Sequence, residues 1–512
     1  MLVATSFLVL ASLGNTLAGH YVFWMPFGSK SMKIGVMDMV YGLAAKGHST
    51  TVVTAFKSKT EKPGVKEIVI ESEFVGLVQD AIGGILVKKG VDVPWTKVME
   101  QTVKDNRAAF SHPEVQQLLK KQGSVDVVCV VPFGNEPGYY FAEKMNATLA
   151  LVWTGTQMVP WISWAVGDSF DPATQPMPLL GYTHPMTFPQ RLLNTLATGA
   201  MALVNELYLR PKSHSLLVEM FPDDKLIPSM DSMAKSSALL VTHSSPFLGH
   251  GLQPTMPQTV HSALMGCTPA NPLPEKLKTF VEEAEHGVIF ISFGSVIMPS
   301  MMPESKRQAL VSVFAGLKQR VIWKWDTEMP DAPPNVLISS WLPQTSLLAH
   351  PNLKLFITHA GAGSLQESIC YTTPIIAIPI NSDQFANAKE AVRLGIGVSV
   401  DWHSLTEETL AREVAKMLEG KSYQNEVETL QRRILDTPQH PLDRAVWWLE
   451  YLLRHPSNPA MRSRAHDLHW TQSMMLDVGL FFLLLVLVVL ATVYTIVDRC
   501  CCASSRRKEK NE

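Results

Sequence analysis

The 512-residue sequence predicts two α/β lobes built on parallel sheets and a membrane helix near the carboxyl end, and three stretches carry that prediction. Near the amino end, His20–Met25 reads as a strand, Met32–Lys46 as a helix and Thr50–Ala55 as a second strand, a β-α-β unit. In the carboxyl half the runs LKLFIT and PIIAIPI, starting at Leu353 and Pro374, are rich in Ile, Leu and Phe and bounded by turn residues, as buried parallel strands are. Finally, Val478–Val497 is 20 residues without a charge. At about 1.5 Å per residue it spans roughly 30 Å, the thickness of a bilayer core.

Taken in order, residues 1–19 form an uncharged apolar run ending in small residues, read as a signal peptide cleaved near Ala18 or Gly19. Pro26–Ser31 is a turn after the first strand, and Gly47 suits the end of the helix that follows. Val125–Val131 and Leu239–Thr242 are further short buried strands. Asn146-Ala-Thr148 is an N-glycosylation candidate. Residues 155–235 are rich in Pro, Met and aromatics with little periodicity, and the prolines scattered over 246–286 suit a linker. Gly287–Ser295 reads as a strand running into a small-residue turn, Arg320–Trp325 as the next strand, with helices from Ala386 and over Glu407–Leu418.

Charge narrows the function classes. Forty-four Lys and Arg against 46 Asp and Glu leave a formal charge of −2, which gives no field for nucleic acid. The cysteines are Cys129, Cys267, Cys370 and Cys500–Cys502, which is no disulfide framework; the three upstream ones are an odd set, so at least one is expected to be an unpaired core thiol. Arg499, Arg506, Arg507, Lys508 and Lys510 follow the apolar span, which places that tail in the cytosol and the bulk of the chain in the lumen. Cys500, Cys501 and Cys502 beside the membrane suit palmitoylation or are reduced thiols.

The chemistry gathers at Trp341–Ala388. After LKLFIT comes His359-Ala-Gly361-Ala-Gly363-Ser364 and then a helical segment with Glu367. A strand, a Gly-rich turn and a helix start together make an anion site, because free backbone N–H groups and the positive helix end converge there. Asp383-Gln384 ends the second run, at the carboxyl edge where open α/β sheets bind ligands. Trp341-x-Pro-Gln344, His350-Pro351, Phe356-Ile-Thr-His359-x-Gly361-x-x-Ser364-x-x-Glu367, Pro374 and Asp383-Gln384-x-x-Asn387-Ala388 resemble, in order and spacing, the donor-binding signature of UDP-glycosyltransferases. The membrane-bound UDP-glucuronosyltransferase group is matched best, and His440–Tyr451 and Ala465–Trp470 resemble it too.

The resemblance implies the GT-B architecture, two doubly wound Rossmann-like domains facing a cleft. Its acceptor-binding domain would cover 20–262 and its donor-binding domain 263–440. Helices over 441–477 would return to the amino domain, followed by the membrane helix 478–497 and a cytosolic tail 498–512. It implies a UDP-sugar as co-substrate, with no cofactor and no metal, a small lipophilic acceptor bound in the variable region 155–235, and membrane attachment; homo- and hetero-oligomers both stay open. Lys508 and Lys510 resemble an endoplasmic reticulum retrieval signal, the other reading being a plain basic flank.

In the donor site it places Trp341 over the uracil, Gln344 on the nucleoside, and His359, Gly361, Gly363 and Ser364 on the phosphates. Ser292 and Ser295 belong to a phosphate-side loop, Glu367 accepts both ribose hydroxyls, and Asp383 and Gln384 bond the sugar. Asn387 is a weaker candidate, with a structural cap as its other role. Lys324 stands where the family usually has Arg, which keeps the charge and loses the planar fork. Ala360 and Thr372 replace glycines, and a Thr tolerates positive φ badly, so that turn is expected to be remodelled.

The same resemblance exposes a loss. The family's general base is a His sixteen residues before the His of a Gly-His pair, and counting back from His48 lands on Met32. The Asp that orients it is expected five residues after Asp126, which is Val131. Neither residue type can move a proton, so no catalytic residue is assigned. Three readings stay open: an acceptor that needs no base, a substitute such as Glu136 or Asp38, or a donor-binding pseudoenzyme or regulatory subunit.

Overall fold

The structure is a computed structural model describing residues 18–88, 94–248, 253–456, 463–473 and 475–509. Residues 1–17 of the expected signal peptide and 510–512 of the tail lie outside the described residues. Residues up to 456 belong to one compact unit holding two parallel sheets. The first has seven strands in the order β3-β2-β1-β4-β5-β6-β7: β1 His20–Met25, β2 Ser49–Thr54, β3 Val65–Val69, β4 Val127–Val130, β5 Thr148–Trp153, β6 Leu239–Thr242 and β7 Thr259–His261. The second has six in the order β10-β9-β8-β11-β12-β13: β8 Val288–Ser292, β9 Arg320–Lys324, β10 Val336–Ser339, β11 Leu353–Thr358, β12 Ile375–Ala377 and β13 Gly397–Ser399.

Side chains alternate across each sheet, so each sheet has two cores. Val22 and Trp24 of β1 face a core with Phe110, Phe141 and Val128, while Tyr21, Phe23 and Met25 face one with Val36, Val40 and Leu43 of the helix Lys30–Ala45. In the second sheet Ile289 and Ile291 point one way and Val288 and Phe290 the other. Burial on both faces explains why these strands read as continuous apolar runs.

The strand orders fix where ligands go. From β1 the chain winds outward through β2 to β3, then returns to the other side of β1 as β4. The second sheet repeats this, with β11 laid beside β8 after β9 and β10. Each reversal opens a crevice at the carboxyl ends of the two central strands. Met32 follows β1 and Val131 follows β4; Ser292 ends β8 and His359 follows β11.

The helix Pro441–Arg454 packs on the first sheet, burying Ala445, Val446, Leu449 and Leu452 beside β1. Gly42 admits it, since a Cβ there would stand 2.8 Å from Val446. Glu450 takes Lys46 at 2.9 Å and His48 at 3.2 Å. The described residues from Ser463 onward form a second compact unit. It contains the helix Leu476–Glu509, whose segment Leu476–Arg499 has a mean hydropathy of 2.9 and is long and apolar enough to cross a membrane.

Two sequence expectations need correcting. Cys267 and Cys370 form a disulfide across a separation of 103 residues, so the sparse cysteines do contribute a covalent link. Cys129, fully buried in β4, carries a free thiol. Nor is the turn at Thr372 remodelled: Thr372 takes φ +54° and Ala360 φ +61°, the left-handed geometry a glycine would have supplied. That conformation costs an L-residue about 1–2 kcal/mol, partly offset by the stiffer unfolded chain. Thr372→Gly is therefore expected to raise unfolding stability by about 0.5–1 kcal/mol, read as a higher urea midpoint; an unchanged or lower midpoint contradicts it.

Candidate functional site

The β8/β11 crevice holds the predicted phosphate side. His359 follows β11 directly, and its ring is wedged between two glycines. A Cβ at Gly294 would meet it at 2.7 Å, and one at Gly361 likewise at 2.7 Å. Gly294 follows Ser292, whose Oγ accepts the Gly294 N–H at 3.3 Å, while Ser295 is exposed beyond it. Lys324, at the end of β9, donates to the Gly294 carbonyl at 2.6 Å and so pins the same loop. Burial first, and the Lys324 charge second, hold His359 neutral with a pKa lowered to about 4. The Lys324 ammonium is itself held below its usual range by burial and by Lys30, which begins the helix after β1. Lysines from both halves thus bring positive charge to one place, as a diphosphate requires.

The helix Ala362–Cys370 has Gly361 as its N-cap and no side-chain cap, which leaves its first-turn N–H groups without intrahelical partners. Gly363 has open space where a Cβ would stand. One turn in, Ser364 and Glu367 share a partner: Gln344 Nε2 donates to Ser364 Oγ at 3.3 Å and to Glu367 Oε2 at 2.5 Å. Trp341 lies three residues before Gln344 and is 53% exposed, with the Lys59 ammonium 4.4 Å from its ring centroid. Lys59 comes from beyond β2, so the aromatic face assigned to a base carries a cation from the other half.

Asp383 precedes the helix Gln384–Arg393, and its carboxyl accepts from Asn387 Nδ2 at 2.8 Å; burial raises its pKa. Gln384 closes the preceding turn, accepting from Ile380 and Asn381 N–H and donating to Asn381 Oδ1. Asn387 does more than cap: it also donates to the Ala360 carbonyl and accepts from Thr156 Oγ1 at 2.8 Å, tying the loop after β5 to the second half. Sequence reasoning did not find Thr156 or Lys59, since neither lies in a motif.

On the acceptor side, Met32 sits half-buried in the first helical turn, its N–H held by the Ser29 cap at 3.3 Å. Val131 is fully buried. Between their loops lies Asn135, whose amide accepts from Phe27 N–H and donates to the Phe27 and Val131 carbonyls. A backbone staple thus joins the two loops. An imidazole does pack on this helix one turn past Met32: His243, at the end of β6, fills the space left by Gly35, and a Cβ there would stand 2.9 Å from it. Burial holds His243 neutral, with a pKa of about 4. Glu136 lines a small pocket with Tyr139, Trp161 and Arg210, and burial raises its pKa. Asp38 lies beside Gly266, where a Cβ would come within 2.7 Å of its carboxyl. Burial raises Asp38 to about 6, with His440 opposing.

Burial, and the Asp38 charge behind it, push Glu367 up from 4.5 to about 7 against the Gln344 bond. A carboxylate accepts two ribose hydroxyls and a carboxylic acid does not. Uridine affinity is therefore expected to rise about tenfold between roughly pH 6 and pH 7.5, since a one-unit step below a pKa protonates about nine-tenths of the group. Glu367→Gln binds uridine weakly and without that dependence. Free of ligand, the stability that protonated Glu367 contributes is full below about 4.5 and lost as pH rises through about 7. Uridine in place of UDP keeps the phosphate-sensitive His359 out of the readout; a flat profile in the parent contradicts the assignment.

Paired parallel sheets with a reversal in each give the chain the GT-B fold. Solved structures agree: the calicheamicin glycosyltransferase CalG4 superimposes with a TM-score of 0.59 at 17% identity, covering 86% of this chain and all of that one. UDP-glucose: anthocyanidin 3-O-glucosyltransferase in complex with UDP gives 0.54 at 15% identity, covering 86% and 99%. The family profile of UDP-glucoronosyl and UDP-glucosyl transferases matches residues 93–511, and the chain belongs to that family. UDP-glucosyltransferase 2 of Dactylopius coccus is 31% identical over 455 residues, 86% of this chain and 85% of that protein. Human UDP-glucuronosyltransferase 1A1 is 33% identical over 310 residues, 60% and 57%.

Proposed function

We propose that this UDP-glycosyltransferase moves a hexosyl or glucuronosyl group from UDP to a small lipophilic acceptor with inversion, choosing acceptors that need no general base. The carrying observation is the pairing of an intact donor constellation with Met32 and Val131 on the other side. His359, Lys324 and the first turn of the helix Ala362–Cys370 hold the diphosphate. Gln344 and Glu367 hold the nucleoside, Trp341 stacks the uracil once Lys59 swings away, and Asp383 with Gln384 meets the sugar. A tertiary amine, or an acid already ionised, attacks the anomeric carbon with its own electron pair. The bond from that carbon to the phosphate oxygen breaks and UDP leaves with the electron pair of the broken bond, so no proton has to be removed.

The apolar helix Leu476–Arg499 fits a membrane anchor, and the basic tail favours a lumenal catalytic portion in the endoplasmic reticulum. The Cys267–Cys370 disulfide suits that oxidising side, and Asn146 is exposed on the surface, as a glycan site must be. The test is a UDP-sugar panel against amine, carboxylic acid, phenol and alcohol acceptors, scored by product mass, beside thermal melts with UDP. Expected are UDP stabilisation by mass action and products from amines or acids above all. No stabilisation removes the donor site, whereas stabilisation without any product leaves a binding subunit.

A further inference from the structure

A cavity of about 180 Å³ lies beyond the carboxyl ends of β5, β6 and β7, outside the donor constellation. Met158, Phe170, Pro246 and Leu248 give it apolar walls. Its polar walls are mostly satisfied. The Asp168 carboxyl accepts from Met256 N–H at 2.5 Å and Thr259 Oγ1 at 2.7 Å, and Ser244 Oγ pairs with His261 Nδ1 at 2.8 Å. Gln157 is the exception. It is 5% exposed and lines the cavity, yet neither its Oε1 nor its Nε2 has a partner. Its backbone is fixed, because the Gln157 carbonyl accepts from Trp153 Nε1 at 2.7 Å. Burying an amide with no protein partner at either end is costly, which favours a ligand that donates and accepts side by side.

We propose that this cavity binds a neutral single-ring molecule bearing a carboxamide, paired with Gln157 through two hydrogen bonds. Size sets the ring: an apolar cavity of about 150 Å³ accepts benzene. The Asp168 carboxyl in the wall and the apolar lining exclude an anion. The neighbouring residue, Thr156, carries the hydrogen bond to Asn387, which in turn holds Asp383. Occupancy therefore stiffens the crossing to the donor side and tightens UDP binding, a clause that rests on the donor reading above.

Calorimetry with benzamide, benzoate and toluene on the full-length protein tests it. The parent is expected to bind benzamide and to reject benzoate. Gln157→Leu loses benzamide by about tenfold or more and gains toluene, as two unpaired polar atoms give way to an apolar wall. Benzamide absent from the parent, or bound equally by a folded Q157L, overturns the site. If Q157L does not fold, the parent decides alone: toluene bound as tightly as benzamide overturns the pairing. Thr156 also lines the cavity, so the coupling is read in Thr156→Val at saturating benzamide: the effect on UDP affinity should vanish, and an unchanged effect overturns the coupling. UDP binding by the parent without benzamide is measured separately, so failure here leaves the donor reading standing.

Discussion

Met32→His combined with Val131→Asp is expected to raise turnover of phenol and alcohol acceptors by about 10²-fold or more, because a positioned base contributes about 10²–10⁴. The scaffold for that base is in place. Met32 begins the helix after β1, the Ser29 cap fixes its backbone, and its sulfur lies only 3.0 Å from where a Cβ on Gly28 would stand, so the side chain fills the turn at the β1/β4 reversal. An imidazole is no larger than the thioether it replaces. The aspartate is the harder half. Val131 is fully buried, and a lone carboxylate there is expected to cost about 3 kcal/mol or more, a cost that falls when the imidazole is present to pair with it. A double-mutant cycle on both stability and turnover should therefore show favourable coupling. Amine acceptors, which lose no proton, should gain nothing. Parent enzyme that already glycosylates phenols with a steep pH dependence near neutrality would mean that another base serves. A folded, UDP-binding double variant without gain contradicts the acceptor-side assignment outright.

The strand–turn–helix around His359 was legible because its residues are local. His359, Gly361, Ser364 and Glu367 lie on one strand–turn–helix, so spacing alone orders them around the helix start. Strand existence was legible for the same reason, since β8 and β11 are continuous apolar runs. What escaped is what depends on distant pairings. Thr156 meets Asn387 across 231 residues of sequence, and His243 meets Gly35 across a sheet. No periodicity records such contacts. The left-handed Thr372 shows a different limit: residue preference is a free-energy bias of about 1–2 kcal/mol, and the packing of a strand and a helix around a turn outweighs it.

Cysteine counting anticipated the free thiol of Cys129 but not the bond between Cys267 and Cys370, whose consequence is large. Cys267 and Cys370 are 103 residues apart, enclosing β8 through β11 and the helix Ala362–Cys370. In the chain-entropy account, closing a loop of about 100 residues stabilises the folded state by about 4.7 kcal/mol, and measured values typically fall near 2–4. Cys267→Ser with Cys370→Ser is therefore expected to lower unfolding stability by about 3–5 kcal/mol, and excess reductant should do the same to the parent while leaving the double variant unmoved. The effect should reach the site. Cys370 ends the helix that carries Ser364 and Glu367, and the Cys267 carbonyl takes a hydrogen bond from His440, at the start of the helix Pro441–Arg454. Opening the link frees both anchors, so UDP affinity should weaken several-fold along with stability. Equal urea midpoints with and without reductant would show that the bond does not form in the folded protein. The proposed lumenal placement would then rest on the apolar helix and its basic flank alone, because a thiol pair kept reduced is what the cytosol imposes.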